Sequence, residues 1–121
     1  MHELSLALSV AEIIRPVVAR QPYGTVLSAV EVEVGSLAGV EIDTFRTALD
    51  TVLKSEGYTS AKTEIDEISG QAMCLDCSTR FNTNRRNTVC PKCCSAKCLT
   101  VSGTELRVSG LRFKTTEESV S

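Results

Sequence analysis

The chain has 121 residues, of which 42% are hydrophobic and 23% are charged, and it carries a formal net charge of −2 at pH 7. Its aromatic content of 4% and its lack of tryptophan argue against a stacking platform for single-stranded nucleic acid. No apolar run approaches the roughly 20 residues of a membrane-spanning helix, and the start of the chain lacks the features of a signal peptide. We therefore expect a cytoplasmic protein without a membrane partner.

The first half of the chain predicts a helix, a strand and a second helix. Residues 3–20 place apolar side chains at helical spacing, and Pro16 predicts a kink or an early end within them. Residues 25–35 alternate in polarity, as in a strand with one buried valine-rich face. A second amphipathic helix is predicted over residues 41–55, and Gly57 follows it at a position where glycine commonly ends a helix.

The second half predicts two further strands, one on each side of a cysteine-rich segment. Residues 60–68 are the weaker candidate. Residues 105–114 form a strand whose alternation slips at Ser109 and Gly110, where a β-bulge would absorb the slip. Because a lone strand is not stable, we expect this last strand to pair with the strands that precede the cysteine-rich segment.

All six cysteines lie in that segment, within residues 74–98. Four of them form two Cys-x-x-Cys pairs, which in a reducing compartment bind metal more often than they form disulfides. Two such pairs supply the four thiolates of a closed, tetrahedral zinc site. Two disulfides, free buried thiols and a rubredoxin-like iron site are the alternatives. The predicted zinc ligands are Cys74, Cys77, Cys90 and Cys93.

The remaining cysteines, Cys94 and Cys98, are predicted to be spare thiols, and an exposed pair of this kind is sensitive to oxidation. The same segment carries five basic residues against one acidic residue. This balance motivates an alternative function, a zinc-ribbon module that binds nucleic acid or another protein. The acidic remainder of the chain and the lack of interleaved aromatics count against a nucleic-acid partner. The basic residues are Arg80, Arg85, Arg86, Lys92 and Lys97.

Together these patterns predict an α+β fold, with two helices on a small three-stranded sheet and an inserted zinc-ribbon-like module. The predicted boundaries are residues 1–69 plus 103–121 for a discontinuous α+β domain, and residues 70–102 for the inserted module. Histidine occurs once, and the sequence contains no nucleophile–base arrangement and no glycine-rich phosphate loop. We therefore predict a protein that is not an enzyme. A small redox enzyme that uses iron or the surplus cysteines is the alternative.

The single histidine, His2, lies next to the amino terminus. The amine of Met1, the amide nitrogen of His2 and the imidazole of His2 can close two adjacent chelate rings in one plane. Nitrogen donors in a square plane suit Ni(II) or Cu(II) rather than zinc. The backbone amide or the carboxylate of Glu3 can complete the set.

Several segments of the chain resemble the HypA/HybF family of nickel-insertion accessory proteins. They are MHELS at residues 1–5, VEVGSL at residues 32–37, the paired cysteine motifs, and GTELRV at residues 103–108. These segments occur in the order found in the family and span nearly the whole chain. The resemblance implies a nickel metallochaperone of [NiFe] hydrogenase maturation, with transiently bound nickel and structural zinc.

The resemblance also implies where each metal binds. Nickel is expected in the discontinuous domain, on Met1, His2 and the backbone or side chain of Glu3, and zinc on the four paired cysteines. Glu41 matches a position where some relatives carry a carboxylate near nickel; its alternative role is that of an acidic residue at a helix start, where the dipole favours it. The implied partners are a maturation GTPase, the hydrogenase large subunit and, in some organisms, urease accessory proteins. The cysteines at positions 94 and 98 depart from the common pattern of the family, which leaves open extra thiol chemistry or altered zinc coordination.

Overall fold

The computed structural model describes residues 2–115, which form two helices and six strands. The strands assemble into two three-stranded sheets, one with the order β2-β1-β6 and the other with the order β4-β3-β5. The α+β class is confirmed, and the pairing of β6 with β1 confirms that the last predicted strand returns to the earlier ones. The elements are α1 (Glu3–Ala19), β1 (Thr25–Gly35), α2 (Ile42–Ser55), β2 (Lys62–Ile68), β3 (Gln71–Cys74), β4 (Arg80–Asn82), β5 (Cys98–Ser102) and β6 (Leu106–Thr115).

The first helix continues through its proline. Pro16 lies inside α1, which ends at Ala19, so an early end at the proline does not occur. Proline removes one backbone donor from a helix, but most helical stability in proteins comes from packing an apolar face. Val10 and Ile14, on the turns before the proline, are buried. Packing therefore outweighs the lost hydrogen bond.

The second helix ends at the glycine that the sequence indicated. Gly57 has a φ of +93°, a left-handed conformation that glycine adopts without steric cost. Its N–H donates to the carbonyl of Lys54 at 3.0 Å, and the N–H of Tyr58 donates to the carbonyl of Leu53 at 2.9 Å. These two bonds form a Schellman motif, which satisfies the last carbonyls of α2.

The two helices pack against each other, and β1 contributes the largest share of buried strand residues. In the first half of β1 the buried side chains are Leu27 and Ala29, whereas in the second half they are Val30, Val32 and Val34. The single valine face expected for the whole strand is therefore wrong for its first half. Because the adjacent positions 29 and 30 are both buried, the strand is covered on both faces there. The helices bury Ala7, Val10, Ala11, Ile14, Phe45, Leu49, Val52 and Leu53.

Spatial proximity groups the residues into two compact units. The first unit contains the residues up to Val32, Glu41–Asp66 and the residues from Arg107 onwards, and so holds both helices. The second unit contains Glu33–Val40 and Glu67–Leu106, and so holds all six cysteines. Residues 33–40 group with the cysteine-rich segment, whereas the predicted boundaries left them in the other domain. That the units act as separate domains stays a prediction.

In the second unit, three glycines bring backbone segments into direct contact. A Cβ atom at Gly35 would lie 2.0 Å from the carbonyl oxygen of Gly103, and a Cβ atom at Gly70 would lie 2.4 Å from the carbonyl oxygen of Thr83. Gly103 also has a φ of +103°. Its carbonyl accepts a hydrogen bond of 2.6 Å from the N–H of Leu37. Any side chain at these three positions would displace backbone atoms.

The smaller sheet has β3 at its centre. Ala72 of β3 is buried and lies opposite Phe81 of β4 and Thr100 of β5, in two antiparallel pairings. The strands have only four, three and five residues, which is too short for alternation to be visible in the sequence. They were therefore not predicted one by one. Neither helix between residues 2 and 115 has the length and apolar character that crossing a membrane requires.

An ion pair joins the two helical segments of the first unit and predicts a pH dependence. Arg15 of α1 donates two hydrogen bonds, of 3.0 and 3.1 Å, to the carboxylate of Glu56, which follows α2. These bonds lower the pKa of Glu56 below its ordinary value of 4.5. A carboxylate with a lowered pKa stabilises the fold above its ordinary pKa, and this contribution is lost as the pH falls through the lowered value.

We predict that Arg15→Met lowers the free energy of unfolding at neutral pH and that this effect disappears in acid. The effect should be small because the pair is partly exposed to solvent. Urea unfolding of the wild type and the variant at a series of pH values measures the difference between them. A difference of the same size at neutral and at strongly acidic pH would contradict the assigned ion pair.

Candidate metal centres

The first Cys-x-x-Cys motif forms a tight turn at the end of β3. The N–H of Cys74 donates to the carbonyl of Thr79 at 2.9 Å, and the N–H of Ser78 donates back to the carbonyl of Cys74 at 2.9 Å. Ser78 has a φ of +62°, in the left-handed region that residues other than glycine rarely adopt. The turn therefore requires an unusual backbone conformation directly after Cys77.

The second motif repeats this turn. The N–H of Cys90 donates to the carbonyl of Ser95 at 2.9 Å, and the N–H of Cys94 donates to the carbonyl of Cys90 at 2.8 Å. Cys94 has a φ of +63° and occupies the position that Ser78 occupies in the first turn. Each motif is thus the same knuckle, and Cys94 is the backbone residue that closes the second one.

The two knuckles bring four sulfur atoms together. The Sγ atoms of Cys74 and Cys93 lie 3.5 Å apart, and those of Cys77 and Cys90 lie 3.6 Å apart. All four sulfurs lie within 4.8 Å of one another. Around a zinc ion with bonds of about 2.3 Å, the edges of a sulfur tetrahedron measure roughly 3.8 Å. The cluster therefore fits one tetrahedral metal ion, and the described cysteines form no disulfide.

Backbone and side-chain groups stabilise negative charge on these sulfurs. The backbone N–H groups of Lys92 and Cys93 donate to Cys90 Sγ at 3.3 and 3.4 Å. The hydroxyl of Thr79 lies 3.1 Å from Cys77 Sγ, and its hydrogen bond lowers the pKa of Cys77 to about 6. The backbone N–H of Cys77 likewise lowers the pKa of Cys74. The surroundings of Cys74 and Cys77 thus favour thiolates, the form that binds a metal cation. Side-chain hydrogen bonding with Cys74, and next with Cys77 and Cys90, instead raises the pKa of Cys93 to about 12.

The two surplus cysteines have different surroundings. Cys94 is exposed, whereas Cys98 at the start of β5 is half-buried. The thiol of Cys98 lies 3.6 Å from the carbonyl of Ser95, to which it donates a weak hydrogen bond. Burial, and next the neighbouring Cys74, raise the pKa of Cys98. Cys98 is therefore a protonated thiol next to the four-sulfur cluster, outside the set of four.

At the other candidate centre, the Glu3 side chain joins the starts of the two helices. Glu3 is only 3% exposed, and its Oε2 accepts a hydrogen bond of 3.0 Å from the backbone N–H of Glu41. This bond is the main cause that lowers the pKa of Glu3 to about 2. The carboxylate of Glu3 is thus ionised and already holds a backbone partner.

Glu41 caps α2. Its Oε1 accepts a hydrogen bond of 3.2 Å from the backbone N–H of Thr44, which satisfies one of the donors that the start of a helix leaves without an intrahelical partner. The same oxygen lies 3.4 Å from the hydroxyl of Thr44. The alternative role of Glu41, an acidic residue at a helix start, therefore has direct geometric support.

His2 is exposed and immediately precedes α1, where its carbonyl accepts the N–H of Leu6 at 3.0 Å. Met1 lies outside the described residues. Glu3 and Glu41 lie together at the starts of the two helices. Among residues 2–115, however, the four paired cysteines are the one group of three or more histidine, cysteine or acidic residues whose ligand atoms could hold one ion. The side chains of His2, Glu3 and Glu41 form no such group there, and nickel binding by Met1, His2 and the backbone stays a prediction.

The sequence matches a known family over almost its full length. The family model for hydrogenase/urease nickel incorporation, metallochaperone, hypA, matches residues 1–113. Hydrogenase maturation factors HypA from Alkalilimnicola ehrlichii and Parabacteroides distasonis are 38% and 37% identical to the chain. These alignments cover 92% and 94% of the chain, and 97% and 98% of the relatives. The chain belongs to the HypA family.

Solved structures of HypA proteins have the same fold. The solution structure of the Ni metallochaperone HypA from Helicobacter pylori is 26% identical in sequence, with a TM-score of 0.61 over 92% of this chain and 96% of that one. A second solution structure of a HypA protein is 25% identical, with a TM-score of 0.54 over 90% and 89%. The resemblance noted in the sequence is therefore confirmed, and the HypA family acts in nickel incorporation into hydrogenase and urease.

Some contributors to the two candidate metal centres could not be recognised from the sequence. Thr79 and Ser78 follow the first Cys-x-x-Cys motif directly, so their position was visible, but their hydrogen bonds were not. The backbone partner of Glu3 lies in a segment distant along the chain. Only the fold shows that this carboxylate accepts a hydrogen bond from the N–H of Glu41 and fastens one helix start to another.

We predict that Glu3→Ala destabilises the HypA-family chain, because the Glu41 N–H loses its acceptor. Glu3→Gln should remain closer to the wild type, since its amide oxygen can accept the same hydrogen bond. Thermal unfolding followed by circular dichroism compares the three proteins. Equal midpoints for wild type and Glu3→Ala would show that the bond contributes nothing to stability.

Proposed function

We propose that this HypA-family chain is a cytoplasmic nickel metallochaperone, which binds Ni(II) at its amino terminus and delivers it during maturation of [NiFe] hydrogenase. Family membership supports the general role. The observation that supports the location is the hydrogen bond between Glu3 Oε2 and the N–H of Glu41. This bond anchors the first residues of α1, while His2 immediately before them is exposed.

The proposed nickel ligands are mainly nitrogen atoms of the first residues. The Met1 amine, the His2 amide nitrogen and the His2 imidazole provide three donors in a plane, and the Glu3 backbone amide provides the fourth. A square of nitrogen donors is a geometry that Ni(II) prefers. Because the Glu3 carboxylate already accepts the Glu41 N–H, we assign that carboxylate a positioning role. Glu41 is a weaker ligand candidate, since its Oε1 caps α2 through Thr44.

Such a site suits a metal that must be handed on. It uses one side chain and several backbone nitrogens from a single short stretch, so a competing acceptor can replace the donors one at a time. The partners that we propose are a maturation GTPase, which would supply nucleotide hydrolysis, and the hydrogenase large subunit, which would receive nickel. In organisms that make urease, its accessory proteins are further candidates. The chaperone itself needs no catalytic residues for this role.

We further propose that the resident metal is zinc, held by the four paired cysteines. The chemistry supports this choice, because four thiolates in a closed tetrahedron are typical of structural zinc. The spacing of the sulfurs and the N–H groups directed at Cys90 Sγ favour an ion of this size and charge. Bound zinc would cross-link the two knuckles and so hold the second unit together.

The nickel site predicts a clear effect of His2. We expect His2→Ala to abolish stoichiometric nickel binding in calorimetric titrations of the zinc-loaded chain, while zinc content stays unchanged. Glu3→Ala should weaken nickel binding by about 10–100-fold, as expected for a residue that orients ligands, whereas Glu3→Gln should bind nearly as tightly as the wild type. Equal nickel binding by wild type and His2→Ala would move nickel to another site.

The control for that experiment is Cys94→Ser, which removes an exposed thiol while leaving the proposed nickel ligands intact. If nickel binding is lost in Cys94→Ser and retained in His2→Ala, the surplus thiols are the site. A large loss in Glu3→Gln would instead make the Glu3 carboxylate a direct ligand, because an amide oxygen is a weaker ligand for the metal than a carboxylate.

Removing the zinc should unfold one unit only. We predict that Cys90→Ser, or a strong chelator, accelerates amide hydrogen exchange throughout residues 71–102, because only Ala72, Cys74 and Cys90 are buried hydrophobic residues in that stretch. Exchange in α1 and α2 should stay slow, since their buried side chains do not depend on the cluster. Unchanged exchange in residues 71–102 after metal removal would contradict a structural role for the metal.

A further inference from the structure

Cys98 faces Cys74 from the neighbouring strand. In the antiparallel pairing of β3 with β5, these two cysteines are direct partners. The N–H of Leu75 donates to the carbonyl of Lys97 at 2.8 Å, so these two residues form a hydrogen-bonded pair. The two kinds of pair alternate along an antiparallel ladder, and the neighbouring pair of Cys74 and Cys98 is therefore a non-hydrogen-bonded pair. In such pairs the side chains lie closer together and the Cα atoms are about 4.5 Å apart. The two thiols therefore lie on the same face of the sheet.

This strand geometry already meets the requirement for a disulfide. Disulfides usually join residues with Cα atoms roughly 4.4–6.8 Å apart, and the typical separation in such a strand pair lies within this range. The Cys98 thiol donates a weak hydrogen bond to the Ser95 carbonyl and also interacts with the Cys74 side chain. It is also the more accessible member of the pair, because Cys98 is half-buried and Cys74 is fully buried.

We propose that Cys98 is an oxidation site for small hydroperoxides, and that its oxidation draws Cys74 out of the four-sulfur cluster by forming a Cys74–Cys98 disulfide. The inference rests on the proposed metal binding by the four paired cysteines. It gives a specific task to one of the two cysteines that lie outside the four-sulfur cluster. The second surplus cysteine, Cys94, closes a knuckle turn and takes no part.

The chemistry balances with hydrogen peroxide as the oxidant. The Cys98 thiol first gives its proton to solvent, and the thiolate then attacks one peroxide oxygen. The O–O bond breaks, and the products are a sulfenic acid on Cys98 and a hydroxide that takes up that proton to become water. The Cys74 thiolate then attacks the Cys98 sulfur, so that an S–S bond forms and the S–O bond breaks. The hydroxide that leaves takes a proton from solvent. Two electrons pass from the two sulfurs to peroxide, which ends as two water molecules.

The disulfide would change the cluster in a defined way. Cys77, Cys90 and Cys93 would remain as three thiolates, one fewer than a closed tetrahedral site contains. Metal affinity falls when a ligand is lost, and thiol reductants reverse the step by regenerating both thiols. The second unit would thus lose its metal under oxidation and recover it under reduction.

The experiment uses the full-length, zinc-loaded chain treated with hydrogen peroxide and then alkylated without reduction. Trypsin separates the relevant cysteines, because residues 63–80 carry Cys74 and Cys77 whereas residues 98–107 carry Cys98 alone. The expected product is a cross-link between these two peptides, with fragment ions that place the bond at Cys74. A zinc-sensitive dye measures metal release in parallel, before and after addition of a thiol reductant.

Two matched variants complete the test. Cys98→Ser should lose both the cross-link and the peroxide-dependent zinc release, whereas Cys94→Ser should behave like the wild type. The inference is overturned if oxidised wild type contains only disulfides among Cys74, Cys77, Cys90 and Cys93, or if Cys98→Ser releases zinc as fast as wild type. If Cys98→Ser fails to fold, the peptide map of the wild type alone decides. A purified chain without zinc would refute the proposed resident metal, while the peptide map still decides the cysteine pairing.

Discussion

The second unit depends on the backbone contact among Gly35, Gly70 and Gly103. The strand β1 ends at the first of these glycines, β2 ends shortly before the second, and β6 begins shortly after the third. Because no side chains intervene, carbonyl and N–H groups of the three segments can bond directly, as the N–H of Gly35 does with the carbonyl of Glu105 at 2.7 Å. The cysteine-bearing stretch starts and finishes at this contact, which therefore fixes where β3 begins and where β5 ends.

The two candidate metal centres use backbone N–H groups for opposite purposes. At the cysteine cluster, N–H groups directed at Cys90 Sγ would offset the charge of the thiolates in the proposed metal site. In the proposed nickel site, the N–H of Glu41 donates to the carboxylate of Glu3, the side chain to which we assign a positioning role. Four fixed sulfurs suit a permanent metal, whereas a chain end with one exposed imidazole suits a metal in transit.

Local patterns in the sequence predicted the long elements and the cysteine motifs well. Both helices, β1 and the returning strand β6 were predicted, because each is long enough for its periodicity to be read. The early helix end that Pro16 predicted as one of two outcomes does not occur, since the burial of Val10 and Ile14 outweighs one missing hydrogen bond. Two features depend on which strands become neighbours. One is the change of buried face along β1, and the other is the pairing of Cys98 with Cys74 across two strands. Such pairings are set by distant parts of the chain and leave no local signal.

The sheet order β2-β1-β6 has a consequence for how the chain reaches its native state. The central strand cannot complete its pairing until the last strand has left the ribosome, so the sheet closes late in synthesis. Closing a long loop costs entropy and slows folding. In the proposed metal-bound form, one ion joins the four cysteines, which effectively shortens the chain between β1 and β6. Metal capture by the newly made segment would then act before the sheet closes, and metal supply would govern the rate at which new copies mature.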